Sequence, residues 1–108
     1  MSDKFRYFYV EQKSEESVGV QCLFETITPD VEEEANSIFS VLSHGTKFNI
    51  HVYLKRPIYL TSHFIVSITT LARQLRKKER ELSISGAPDS LTHYLERFSM
   101  GDLIRITG

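Results

Sequence analysis

Apolar residues follow two rhythms along this chain, and each change of rhythm marks a new element. In "KFNIHVYL" the alternation is strict, with Phe48, Ile50, Val52 and Leu54 on one face and Asn49, His51 and Tyr53 on the other. A strand buried on both faces would be apolar throughout, so this pattern predicts a sheet packed by helices mainly on one side. The stretch "KFRYFYVEQ" (residues 4–12) is rich in aromatic and β-branched residues and predicts another strand. After the polar turn "KSEES", the run "VGVQCLFETI" places Val18, Val20, Cys22 and Phe24 on one face. These two strands are expected to form a hairpin.

Helical spacing takes over in "TPDVEEEANSIFSVLSHG". Thr28 suits the cap, Pro29 the first helical position, and Asp30 with Glu32 to Glu34 the positive end of the dipole. Val31, Ala35, Ile38 and Leu42 form the stripe, and Gly45 is expected to stop the helix. The longest helix is predicted from residue 63 to about 78, with Phe64, Ile68, Leu71 and Leu75 as its stripe, widened by Ile65 and Ala72. Its last turns, "RQLRKKER", carry positive charge where the dipole is negative. "ELSISG" reads as a short strand. "PDSLTHYLERFSM" reads as a helix with Pro88 first and Leu91, Leu95 and Phe98 inward, and "DLIRITG" as the closing strand. The order β-β-α-β-α-β-α-β is that of an α/β protein. Its N-terminal hairpin leads into alternating helices and strands, and the second half implies parallel strands with right-handed crossovers.

Length, 108 residues, fits one domain spanning 1–108, and no repeat or linker interrupts it. A formal net charge of -1 gives no electrostatic reason to expect nucleic acid. No apolar run approaches the ~20 residues of a membrane span, so no membrane insertion is expected. The segment "MSDKFRYFYV" lacks the layout of a signal peptide, and the single cysteine, Cys22, excludes an internal disulfide. A cytoplasmic location is expected.

Candidate chemistry is sparse. His44, His51, His63 and His93 share no metal-ligand spacing, so no metal site is expected. Cys22 lies in a strand pattern as a small core residue. No base and orienting group accompany a nucleophile, and no glycine-rich phosphate loop is present, so neither an enzyme nor a cofactor is expected. The basic run from Arg73 to Arg80 is broken by Glu79 and reads as a solvated helix end. What remains is "IYLTSHFIV", where Thr61 and Ser62 open the long helix. Either hydroxyl can cap it, contributing about 1 kcal/mol. A phosphoryl group on Ser62 would add about -1.5 to -2 charges at a helix N-terminus, where dipole and free amides tolerate an anion.

From Phe48 to the C-terminus, "FNIHVYLKRPIYLTSHFIVSITTLARQLRKKERELSISGAPDSLTHYLERFSMGDLIRI" resembles a STAS domain of the anti-sigma-factor-antagonist-like family. That family's usual text is an apolar strand, a short loop, a "D-S-S-G-L" stretch opening a long helix, a "G-G-x-L" type turn and strand, then another helix and a final strand. The hairpin and first helix here match the family in order. The resemblance implies a STAS-like mixed sheet with helices mainly on one face, and no catalysis. Ser62 then occupies the serine that such antagonists present to a partner kinase, with Thr61 as a second phosphorylation candidate. In that family the unphosphorylated domain binds an anti-sigma factor that is itself a serine kinase, and phosphorylation breaks the complex, so the expected role is regulation of transcription.

Its partner-binding face is expected to comprise Lys55, Arg56, Thr61, Ser62, His63, Gly86, Pro88 and Asp89. The alternative is a constitutive STAS subunit of a larger assembly, such as a transporter complex, without phosphorylation. Three departures from the family's text bear on the site. Thr61 stands where an acid usually precedes the serine, and Thr28 falls where a second acid is usual. His63 and Phe64 replace small residues, and Phe64 is expected to add bulk where a partner would approach.

Overall fold

The computed structural model describes residues 2–44, 48–54 and 59–107. Among them a six-stranded sheet runs in chain order through β1 (Ser2–Lys4), β2 (Phe8–Gln12), β3 (Ser17–Cys22), β4 (Asn49–Tyr53), β5 (Leu82–Ser85) and β6 (Ile104–Thr107). Helix α1 (Pro29–Ser43) joins β3 to β4, α2 (Ser62–Lys77) joins β4 to β5, and α3 (Asp89–Arg97) joins β5 to β6. The first three strands pair antiparallel, and β3 through β6 pair parallel. The expected mixed sheet is therefore present.

The alternation in β4 works as predicted. Val20, Val52 and Ile84 face one another across three strands and are each 0% exposed. Their neighbours His51, Tyr53, Ser83 and Ser85 point to the opposite face and are half-buried. Crossovers of one hand between successive strands of such a sheet place their helices on one face. The long helix meets that face with Phe64, Ile68, Leu71 and Leu75, none more than 2% exposed.

Residues 4–12, expected as one strand, contain a reversal instead. The Phe5 N–H donates to the Phe8 carbonyl (2.7 Å), and the chain folds back so that Lys4 pairs with Tyr9. The turn is held to α1 by the Tyr7 N–H, which donates to Glu34 Oε1 at 2.7 Å. Phe5, Tyr7, Phe8 and Tyr9 carry an aromatic pattern through the turn with only Arg6 between them, so strand propensity conceals it.

Helix ends follow their local chemistry. Thr28 caps α1 through its hydroxyl, which accepts from the Val31 N–H (3.3 Å), and Pro29 opens the helix. Of the predicted α1 stripe, Val31, Ala35 and Ile38 are buried and Leu42 is half-buried, while Phe39 joins the core. The last turn of α1 has no basic residue of its own, and Lys78 reaches across to donate to the Ser43 carbonyl. Gly45, expected as its stop, lies outside the described residues. Pro88 is the cap of α3 rather than its first helical residue, because its extended backbone (ψ 157) places it before the first turn. Both α2 and α3 end in the same motif. Glu79 (φ 59) and Ser99 (φ 57) turn left-handed, while the Arg80 and Met100 N–H groups close back onto the Leu75 (2.8 Å) and Leu95 (2.6 Å) carbonyls.

Four phenylalanines tie the layers together. Phe8 of β2, Phe24 beyond β3, Phe64 of α2 and Phe39 of α1 form a closed circuit of edge-on ring contacts with centroids 5.2, 6.0, 6.4 and 6.4 Å apart. This circuit fixes the first turn of α2.

Candidate functional site

Two buried side chains bracket the opening of α2. Leu60 (4% exposed) and Phe64 (0%) enter the core, and the chain between them is turned outward. Phe64 therefore lies in the aromatic circuit, and the bulk expected at the surface is absent. Its size serves packing because the third residue of this helix points inward.

Thr61, not Ser62, is the cap. Its backbone is extended (φ -75, ψ 157) and its hydroxyl accepts from the Phe64 N–H at 3.2 Å, whereas Ser62 is already helical. The same hydroxyl donates to Glu32 Oε2 on the first turn of α1 at 2.5 Å. One hydroxyl thus satisfies an orphan amide and tethers two helices. Ser62 itself is exposed at the first helical position.

Glu32 also changes the electrostatics expected here. The sequence places threonines where acids are usual, but the fold brings this carboxylate to the cap from 29 residues away. His63 Nδ1 lies 3.9 Å from the same carboxylate oxygen, with its side chain 89% exposed. Nothing in the local sequence announces the contact, since it depends on how α1 and α2 pack.

Around Ser62 the surface is mixed. Tyr59 is 85% exposed before the cap, and Val66 is 53% exposed one turn into the helix. A groove of about 390 Å³ lies between α1 and α2, lined by His63, Val66 and Ser67 on one side and Asn36 and Ser40 on the other. Ser67 Oγ donates to Asn36 Oδ1 (2.5 Å) across it.

The remaining expected site residues divide. Gly86, Pro88 and Asp89 follow β5, whose carboxyl end pairs with that of β4, so their loop leaves the same sheet edge as the one before α2. Gly86 adopts φ +75, and a Cβ there would stand 1.8 Å from the Leu54 carbonyl oxygen, so close approach of the two strand ends requires glycine. Asp89 is exposed and Pro88 half-buried. Lys55 and Arg56 lie outside the described residues.

One further constellation was missed by the sequence reading. On the sheet face away from the helices, His51 Nδ1 lies 2.5 Å from Ser83 Oγ and Nε2 lies 3.0 Å from Ser85 Oγ. The register His51↔Ser83 and Tyr53↔Ser85 produces this, and it becomes visible only once β4 and β5 are paired. Burial pushes the imidazole below its ordinary range, which favours the neutral ring that donates through one nitrogen and accepts at the other. Both nitrogens are thereby engaged with serines. Cys22 is buried, and burial pushes its thiol up to about 12, which disfavours the thiolate. Among the described residues no group of three His, Cys, Asp or Glu side chains is placed to hold a metal ion. Among them, too, no helix is long and apolar enough to cross a membrane.

An anti-sigma-factor antagonist (STAS) domain protein from Planctomyces limnophilus superposes on this chain with a TM-score of 0.73, covering 94% of this chain and 90% of that one. The chain has the STAS fold. Sequence identity over this match is 11%, so the likeness is one of architecture. No protein-family model matches the sequence, and no curated protein matches it. Within the STAS fold described here, Ser62 stands at the first position of the helix that follows β4.

Proposed function

We propose that this chain is a non-catalytic, protein-binding regulator that works as one STAS module of the anti-sigma-factor-antagonist kind. Its partner is a serine kinase of the anti-sigma-factor type, which docks on the face around Ser62. The observation that carries this reading is the division of labour at the start of α2. Thr61 does the capping and is held by Glu32, so Ser62 is exposed with no capping duty. A phosphoryl group there would meet favourable helix amides while leaving the fold intact. The nearby Glu32 carboxylate and the added charge would together make the face strongly anionic. Docking would then weaken through repulsion and desolvation. His63, Gly86, Pro88 and Asp89, with Lys55 and Arg56, complete the proposed contact face.

A constitutive reading, in which the module sits permanently in a larger complex such as a transporter assembly, is favoured by one feature. Tyr59 and Val66 leave apolar surface beside Ser62, at 85% and 53% exposed, that suits a lasting contact. The two readings separate experimentally. Tagged wild type, Ser62→Ala and Ser62→Asp are recovered from the native cells, co-purifying proteins are quantified, and phosphate is mapped by mass spectrometry. The switch predicts phosphate on Ser62 and a partner retained by the Ala variant but lost by the Asp variant. Equal recovery by all three, with no phosphate on Ser62 or Thr61, would reject the switch in favour of constitutive binding.

A further inference from the structure

The helix layer stops short of the sheet it covers. The three helices connect β3 through β6, and among the described residues the part of the helix-side face of β1 and β2 that carries Asp3, Val10 and Gln12 borders, beyond α1, a groove of about 550 Å³. Two strands span about 9.6 Å at the usual spacing, which matches the 8–10 Å that separates packed helices. The groove therefore has the width of one more helix. Asp3, Val10 and Gln12 form its floor, and Ile38, Val41 and Leu42 of α1 form its wall. Along α1 it is lined from Asp30 to Leu42, about 18 Å at 1.5 Å per residue, or some three helical turns.

Its chemistry is graded from end to end. Toward the start of α1 the lining carries Asp30, Glu33 and Glu34; Asp3 lines it further along, level with Val10, and Arg6 is the one basic residue of the lining. Toward the end of α1 it is mostly apolar, with Val41 71% exposed and Phe48 half-buried, and Gln12 as the polar residue of the floor there. Phe5 of the β1–β2 turn, which Tyr7 holds to Glu34, adds a 41% exposed ring at the acidic end. Among the described residues, no element covers Val41 where it borders this groove beside half-buried Val10, Leu42 and Phe48.

We infer that this groove takes an amphipathic α-helix of a partner protein, laid beside α1 over β2. Its apolar stripe meets Val10, Val41 and Leu42, and Lys or Arg side chains at one end meet Asp30 and Glu33. A helix fits because the groove repeats the packing geometry of the existing layer. A basic end fits because acids outnumber the single arginine. This site is separate from the Ser62 face, since the groove beside Ser62 is bordered by Asn36 and Ser40 on the other flank of α1.

The probe is a synthetic peptide of roughly 14 residues, with leucines at helical spacing and lysines toward one end, labelled and titrated against the full chain. Saturable binding is expected, weakened about tenfold or more by Val41→Glu and by Glu33→Lys. Val41 and Glu33 are both exposed, so these variants should fold, which circular dichroism checks. Val66→Glu and Ser62→Asp, on the other face, should leave the affinity unchanged. A counterpart peptide with glutamates in place of lysines should bind about tenfold more weakly or worse. Three results would each overturn the inference: no saturation, equal binding of both peptides, or equal weakening by Val66→Glu and Val41→Glu. A wild-type dimer that Val41→Glu dissociates would also overturn it, because the groove would then belong to a second copy.

Discussion

At the scale of single residues, the start of α2 separates a structural hydroxyl from an available one. Thr61 accepts from Phe64 and donates to Glu32, so Thr61→Ala loses a cap and an interhelical bond. The expected cost is about 1–2 kcal/mol, whereas Ser62→Ala should stay within about 0.5 kcal/mol of wild type. Urea denaturation of both variants checks this, and the reverse order would return the cap to Ser62. Cys22 offers a second test. Its folded thiol titrates at about 12, above the ordinary value, so the stability it contributes is intact at neutral pH. That contribution is lost progressively as pH rises past the unfolded thiol's pKa of roughly 8.5–9 toward the folded value. Denaturation series at rising alkaline pH should therefore show a steeper decline for wild type than for Cys22→Ala. Equal slopes would mean that the thiol is not shielded. The pair Thr61 and Ser62 could be found from sequence, but which of them caps could not. That choice depends on where Leu60 and Phe64 enter the core.

At the scale of elements, α2 is the keystone of the helix layer. Leu71 is 2% exposed in the middle of its stripe, and Leu71→Ala should cost roughly 2–5 kcal/mol. Val66→Ala on the same helix, at 53% exposed, should cost little. Comparing their denaturation midpoints tests the assignment of faces, and similar midpoints would contradict it. The elements most legible in the sequence are those where periodicity and capping agree, as in β4 with Ile50 and Val52 and in α1 with Thr28 and Pro29. Periodicity was blind where one propensity ran across a turn. Residues 5–9 keep an aromatic strand signature through the β1–β2 reversal, and only the Phe5 to Phe8 bond and the Tyr7 to Glu34 bond reveal it. The Glu32 to Thr61 contact was hidden for a different reason, because no local rule couples residues that far apart.

At the scale of the whole molecule, a sheet with all its helices on one side has two unlike surfaces. One is built for burial, and the other is a polar platform where His51 bridges Ser83 and Ser85. Chain order and spatial order of the strands coincide, because each parallel crossover advances one strand; the sequence pattern predicted the parallel pairing but not this order. The termini of α2 and α3 hold a different lesson. Both close through a left-handed residue that is not glycine, Glu79 and Ser99. Each carries a backbone cost of about 1–2 kcal/mol that glycine avoids, offset by the roughly 0.5–1 kcal/mol of extra chain entropy glycine loses on folding. Glu79→Gly and Ser99→Gly together should therefore raise stability by about 1–2 kcal/mol and the melting temperature by several degrees. Calorimetry of the double variant checks this, and a lowered melting temperature would show that the side chains contribute more than their strain costs. These two corners are unused thermal headroom, open to redesign without touching the Ser62 face or the groove beside α1.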